Sequence, residues 1–446
     1  MGVRRGVIKT PGGKLVAVTV ATDSMGLVNE CRLDGDFFID GDEARSRSLL
    51  DDLERTLLAC ARGAAARVTG TQDGDAPASA GKSRLPRGRT AQSETYGDEK
   101  CADIDGWSDA LRRTCMRHGG ARLVGTDAGA MAWALARAMG LEPVARPGLN
   151  GASDKVATET GKAVESADGR ESDPSCAVLR PNADWPADWR DRWRALAPVV
   201  IHDRPRSPIE QMAIDRQWAR EVAAGTRPPS VRFWEWTSPA VVVGRFQSIP
   251  DEVHTDEAER LGFTVVRRCT GGGTMVVQPH GAITYSLYAP QWFVDGLDAA
   301  EAYRLCDSWL VDALQGFGVD ARFQGLNDIA VPVGGMVQGS ADGDSIASVV
   351  PWGKAGGAAQ RRFPASAGSG GPGAVLHHTT LAFDLDGALM ARLLNTSPEK
   401  MHDKAVRSAA KRVSPLCLQP ALRNVGRDVL LRTLADSLRR LLSVDG

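Results

Sequence analysis

Arg267-Arg268-Cys269-Thr270-Gly271-Gly272-Gly273-Thr274-Met275-Val276 is a run whose residue types suit an anion. Consecutive glycines let a backbone pass close to a ligand and turn several N–H groups one way, which fits phosphate or carboxylate oxygens. The two arginines before them can neutralise and orient such an anion. Tight β-turns also use glycine triplets, so this run alone is compatible with either role. A second run, Gly353-Lys354-Ala355-Gly356-Gly357-Ala358-Ala359-Gln360-Arg361-Arg362, sets a lysine among small residues, where a cation can reach an acyl phosphate without crowding. It is not a P-loop, because Ala355 follows the lysine where Ser or Thr is required and Ser348 stands five residues before Gly353. No strand followed by G-x-G-x-x-G occurs, which argues against a Rossmann dinucleotide site. In Leu326-Asn327-Asp328-Ile329, Asp328 could hold Mg²⁺ on a nucleotide phosphate. His377-His378-Thr379-Thr380 falls on a predicted strand, where neighbours point to opposite faces, so at most one histidine faces a site. For either histidine alone, a structural hydrogen bond is the plainer reading.

The elements that must position these runs are dense after residue 199. Ser207-Pro208-Ile209-Glu210 is a capping box with proline at the first helical position, predicting a helix to about residue 224, where Gly225 stops it. Strands are predicted at 231–236, 240–244, 263–267, 282–289, 319–323 and 376–384, with helices at 255–261 and, capped by Asp298, up to residue 317. Irregular interleaving and short strand–strand connections predict an α+β fold with a mixed, largely antiparallel sheet and flanking helices. Earlier in the chain, residues 7–20 read as a β-hairpin turning at Pro11-Gly12-Gly13, and residues 27–33 and 35–39 as further strands. Helices are predicted at 42–62, with leucines 49, 50, 53, 57 and 58 on one face, and at 108–118 and 128–139. Residues 63–100 are polar, rich in Gly, Ser and Ala and without period, and read as a mobile insertion. Residues 143–183 have a similar composition and read as a disordered linker between domains at 1–142 and 184–446. Trp185, Trp189 and Trp193 mark the return to packed structure.

The whole-chain totals narrow the class. A length of 446 residues allows two or three ordinary cores, and 43% hydrophobic with 24% charged residues is usual for a soluble protein. A formal net charge of −1 argues against a nucleic-acid binder. No apolar run approaches the ~20 residues of a membrane helix. The first residues lack the apolar core of a secretory signal, and Gly6 stands where myristoylation needs Ser or Thr. The eight cysteines are scattered, without C-x-x-C or a zinc spacing, and read as reduced thiols of a cytoplasmic protein.

Taken in order, the four runs resemble the lipoate–protein ligase family of the biotin/lipoate ligase superfamily, whose pattern is a double arginine with Gly-Gly-Gly, Asn-Asp, a Gly-Lys segment ending Ala-Gln-Arg-Arg, and His-His-x-Thr. The likeness spans residues 199–416 and includes the flanking text VRFWEW, PAVVVGRFQS, ITYSLYAP and DKAVRSAAKRVSPL. KTPGGKLVAVTV and GDFFI, followed by a leucine-rich helix, resemble the family's small accessory domain, here placed before the catalytic one. The resemblance implies activation of lipoate by ATP to lipoyl-AMP and transfer of the lipoyl group to a lysine of a lipoyl-domain acceptor of the 2-oxoacid dehydrogenase E2 or glycine-cleavage H protein type. It places Arg268, Gly271, Gly272, Gly273, Thr274, Met275, Val276, Asn327, Asp328, Lys354 and His378 at the adenylate. Lys354 would touch both the lipoyl carbonyl and the α-phosphate, and Asp328 would take Mg²⁺. Two departures stand out: Val277 and Gln278 occupy positions where the family often has His-Asp, with His280 displaced, and residues 333–351 form a polar insertion. An octanoyltransferase of the same fold would need an activated thiolate, and no cysteine lies between Cys306 and Cys417. A non-catalytic lipoate-binding protein would be expected to lose the cations first, and Arg268 and Lys354 are both present.

Overall fold

The computed structural model describes residues 2–10, 13–69, 102–141, 188–333, 351–365, 370–395 and 413–443. The expected hairpin is present: β1 (Gly2–Lys9) pairs antiparallel with β2 (Leu15–Thr22), Lys9 opposite Leu15. β3 (Val28–Gly35) completes a three-stranded sheet, and β4 (Phe38–Gly41) follows. α1 (Glu43–Thr69) runs past the predicted end at 62, since the alanine-rich sequence there continues its buried stripe through Ala61 and Ala64. The remainder of the proposed insertion, from residue 70, lies outside the described residues. α2 (Ile104–Arg117) leads to β5 (Ala121–Val124), a short strand paired with β4 that the sequence did not signal, and to α3 (Ala128–Met139). α3 packs on the hairpin so closely that a Cβ on Gly6 would lie 2.0 Å from the Ala134 carbonyl oxygen. Val16, Val18, Leu49, Leu53, Leu57, Met131 and Leu135 close a core that Phe246 joins from the second part.

The proposed linker also lies outside the described residues, as does Trp185. The second part contains α4 (Trp189–Leu196), β6 (Val199–His202), α5 (Pro208–Ala223), β7 (Ser230–Trp234), β8 (Ala240–Val243), α6 (Ile249–Glu252), α7 (Thr255–Arg260), β9 (Thr264–Arg267), β10 (Met275–Val277) and β11 (Ala282–Pro290). It continues through α8 (Ala299–Gly316), β12 (Arg322–Gln324), β13 (Asp328–Pro332), β14 (Trp352–Phe363), β15 (Ala374–Ala382), α9 (Gly387–Leu393) and α10 (Arg427–Leu442). The capping boxes at Ser207/Glu210 and Asp298/Glu301 are formed, and Gly225 follows α5 with φ +75°. A seven-stranded sheet runs β12-β13-β14-β15-β11-β7-β6, antiparallel except for β6 with β7. A smaller sheet runs β10-β8-β9, with β8 and β9 parallel. The fold is therefore α+β with a mixed, mostly antiparallel sheet.

Helices α4, α8 and α10 cover one face of the large sheet around Trp193, Phe233, Trp309, Leu314 and Leu434. Helix α5 covers the other through Ala219, Val222 and Ala223 against Tyr288 and Leu376. The Lys354 run, for which the sequence predicts no strand, is regular structure. It is β14, a 12-residue interior strand between β13 and β15. Its small residues answer to crowding: a Cβ on Gly356 would sit 2.5 Å from Leu381 Cδ2, and one on Gly353 2.6 Å from Ser414 Cβ.

Candidate active site

β13 and β14 bring Asp328 and Lys354 together. The Lys354 ammonium lies 2.7 Å from Asp328 Oδ1, and the lysine side chain is still 43% exposed. Glycine at 357 makes that position possible, because a Cβ there would fall 2.6 Å from Lys354 Nζ and 3.4 Å from Asp328 Oδ1. Gly357 pairs with Thr380 on β15, which puts the ammonium on the same sheet face as His378. Asn327 closes the corner: its Nδ2 donates to the Ala358 carbonyl at 2.6 Å, leaving Oδ1 to accept from Lys14 Nζ at 2.7 Å.

The glycine run forms the second wall. Arg268 is buried, and its guanidinium donates to the carbonyls of Gly271 (2.7 Å), Gly273 (2.8 Å) and Val242 (3.3 Å). Burial pulls its pKa down to about 10. Arg267 likewise donates to the carbonyls of Gly244 and Gln247, each at 2.7 Å. Both arginines thus hold backbone carbonyls, a duty that the sequence does not signal. Gly272 takes φ +89°, and a Cβ on Gly244 would lie 1.9 Å from the Gly272 carbonyl oxygen. Thr274 donates to Gln247 Oε1 at 3.0 Å, and Met275 and Val276 pair with Val242 and Val241 in the small sheet. His378 joins this wall to the core, with Nδ1 2.7 Å from Asp215 Oδ2 and Nε2 2.8 Å from Thr270 Oγ1. Burial lowers the His378 pKa, whereas hydrogen bonds from His378 and Tyr288 hold the Asp215 carboxyl low against its own burial. A neutral His378 donating from Nδ1 and accepting the Thr270 hydroxyl satisfies all three groups. His377 faces the opposite way, onto Asp307 at 3.0 Å.

The first part of the chain covers this wall. Gly272 N–H donates to the Phe37 carbonyl at 3.4 Å, and a Cβ on Gly271 would lie 2.6 Å from the same oxygen. The glycines therefore admit a neighbouring backbone. Phe37 stacks on Phe246 at 5.1 Å, Asp36 accepts from Gln247 at 2.8 Å, and Phe38 meets Tyr303 at 5.8 Å. Ion pairs Arg362–Asp40 (2.9 Å) and Arg361–Glu43 (3.2 Å) fasten the same edge.

Residues 207–438, a little over half of the chain, match the family described as the lipoyl protein ligase A/B catalytic domain. The chain belongs to that family. Among its relatives, lipoate-protein ligase A subunit 1 of Thermoplasma acidophilum is 26% identical over 216 residues, covering 48% of this chain and 74% of that protein. Octanoyltransferase LipM of Halalkalibacterium halodurans is 25% identical over 233 residues, covering 51% and 78%. Octanoyltransferase LipM of Symbiobacterium thermophilum is 31% identical over 187 residues, covering 42% and 65%. A solved bi-partite lipoate protein ligase of Thermoplasma acidophilum is 23% identical, with a TM-score of 0.40, covering 55% of this chain and 83% of that one.

Within this ligase-family domain, Lys354, Asp328 and Asn327 converge on one corner, and Arg268, Gly271 to Val276 and His378 on the adjoining wall. Sequence reasoning did not single out Lys14, Asp36, Phe37, Phe38, Asp215 or Gln247. The first four are in the resembling segments KTPGGKLV and GDFFI, whose nearness to the site no local pattern signals. Among the described residues, no three or more His, Cys, Asp or Glu are grouped to hold a metal. No described helix is long and apolar enough to cross a membrane.

Proposed function

We propose that this protein is an ATP-dependent lipoate–protein ligase acting in the cytoplasm on lipoyl-domain acceptors of the E2 or H protein type. The observation that carries the reading is the Lys354 ammonium, half exposed on an interior strand and kept clear by Gly357. Attack of a carboxylate on an α-phosphorus builds negative charge that a fixed ammonium stabilises. The same cation would polarise the acyl carbonyl when the acceptor lysine attacks. No covalent enzyme intermediate is needed. A magnesium ion on such a nucleotide is usually held by one or two carboxylates plus phosphate oxygens, and Asp328 is a carboxylate of that kind at the corner. Asp36, Phe37 and Phe38, packed against the glycine run, fit the role of an accessory domain for the part of the chain they belong to, residues 1–142.

The octanoyltransferase relatives favour a second reading, transfer through a cysteine thioester. That chemistry needs a thiolate. Cys269, beside the glycine run, is buried and burial pushes its thiol pKa up, while Cys306 is also buried. These surroundings support the ligase reading. Incubation with lipoate, ATP and Mg²⁺ should yield lipoyl-AMP and pyrophosphate, and Cys269→Ala should leave ligation largely intact. Loss of activity in that variant, with an acyl-Cys269 adduct trapped in the parent protein, would decide for the transferase.

A further inference from the structure

Lys14 immediately precedes β2 in the first part of the chain, yet its ammonium reaches the corner built by the second. It donates to Asn327 Oδ1 at 2.7 Å and lies over the Phe38 ring at 5.7 Å. The acceptor is fixed, because Asn327 Nδ2 donates to the Ala358 carbonyl and Oδ1 is thereby turned to Lys14. The Lys14 backbone is fixed too, its N–H donating to the Gly125 carbonyl at 2.5 Å. Charged groups acting on this ammonium include Lys354 from β14, Asp328 from β13, Asp36 from the turn after β3, and Lys9 from β1. Lys14 and Lys354 are ammonium cations that meet at the adjoining residues Asn327 and Asp328. Two half-buried ammonium groups at one corner are suited to an anion, and each is a point charge matched to phosphate oxygens.

We propose that Lys14 is a second anion-binding cation of the active site, contributed by the N-terminal part, which holds the β- and γ-phosphates of the nucleotide while Lys354 serves the α-phosphorus. The inference rests on the ATP-dependent reading above. In that step a lipoate carboxylate oxygen forms a bond to the α-phosphorus. The bond to the bridging oxygen breaks, and pyrophosphate leaves with the electron pair. Lys14 would stabilise the charge gathering on that leaving group. Burial lowers the Lys14 pKa, against the pull of Asp328. Its charge is therefore lost at lower pH than an ordinary lysine's as the solution becomes alkaline.

The test uses the full-length protein, Lys14→Gln and Lys14→Arg, in two half-reactions. One is lipoate-dependent ATP–pyrophosphate exchange. The other is transfer from supplied lipoyl-AMP to a purified E2 lipoyl domain. Gln keeps an N–H for Asn327 and removes the charge. Exchange by Lys14→Gln should fall about 10²-fold, with KM for ATP raised, KM for lipoate unchanged and the transfer half-reaction preserved. Lys14→Arg should recover most of the exchange and carry its alkaline limb to higher pH. Wild-type exchange by Lys14→Gln would overturn the inference. So would equal loss in both half-reactions, the result expected if Lys14 only docks the two parts. Absence of exchange by the wild-type protein would overturn the ATP-dependent reading and the Lys14 assignment with it.

Discussion

The two faces of the seven-stranded sheet are built from the same alternating strands but end differently. On the α8 side, Tyr285, Thr379 and His377 all bond to Asp307, and Trp193 Nε1 donates to the Leu305 carbonyl at 2.9 Å. That polar cluster is closed within the core. On the α5 side, Ser286 and Tyr288 donate to Asp215, at 2.8 and 2.6 Å, and Asp215 holds His378, which holds Thr270 in the glycine run. Here the chain of hydrogen bonds leads outward to the wall beside Lys354. One face therefore serves stability, and the other transmits the rigidity of the core to groups that meet a ligand.

The first way to break this comparison is a cavity in the closed face. Trp193 is fully buried, and Trp193→Ala should cost about 3–5 kcal/mol of stability. Adenylation per folded molecule should be unchanged, as read from denaturant midpoints beside exchange assays. Loss of specific activity in the folded variant would mean that both faces serve the site. Gly357→Ala tests the open face in the opposite sense. The added methyl must displace the Lys354 ammonium, the far end of a flexible side chain. Stability should change by less than about 0.5 kcal/mol, while activity falls by up to about 10²-fold. A variant that remains fully active would show that the ammonium's position is not critical. The smallest effect concerns pH. Burial disfavours the charge on His377, but Asp307 and Cys306 outweigh it and raise its pKa to about 10. A cation stabilised in the folded state contributes fully below its unfolded pKa of about 6.5 and loses that contribution as pH rises through about 10. Thermal midpoints should therefore decline more from pH 7 to 10 in the wild type than in His377→Gln. Parallel declines would contradict the charged His377.

Local chemistry made much of the fold legible. The capping box at Ser207, the cap at Asp298, the hairpin of β1 and β2, and the opposite faces of His377 and His378 each follow from a few neighbouring residues. Two features did not follow. β14 was hidden because its glycines and alanines, chosen by close packing on Leu381 and Ser414, lower the strand signal of the segment. Lys14 was hidden because its partner, Asn327, is remote in sequence and lies across the contact between the two parts. The candidate residues were recognised by type and order, but the backbone duty of Arg267 and Arg268 needed coordinates.

The central claim is that Lys354 stabilises charge during adenylate formation without a covalent enzyme intermediate. Its most direct test is pyrophosphate release from ATP and lipoate by purified Lys354→Ala and Lys354→Arg, with thermal midpoints recorded alongside. Removing one charge-assisted contact from a transition state costs about 3–4 kcal/mol, or about 10²–10³ in rate. The half-exposed pair with Asp328 should add less than about 1 kcal/mol to stability. Both variants should fold with adenylation reduced by that factor, and the broader, planar guanidinium should give no rescue in the space left by Gly357. A folded Lys354→Ala protein that adenylates lipoate at the wild-type rate would contradict the central claim.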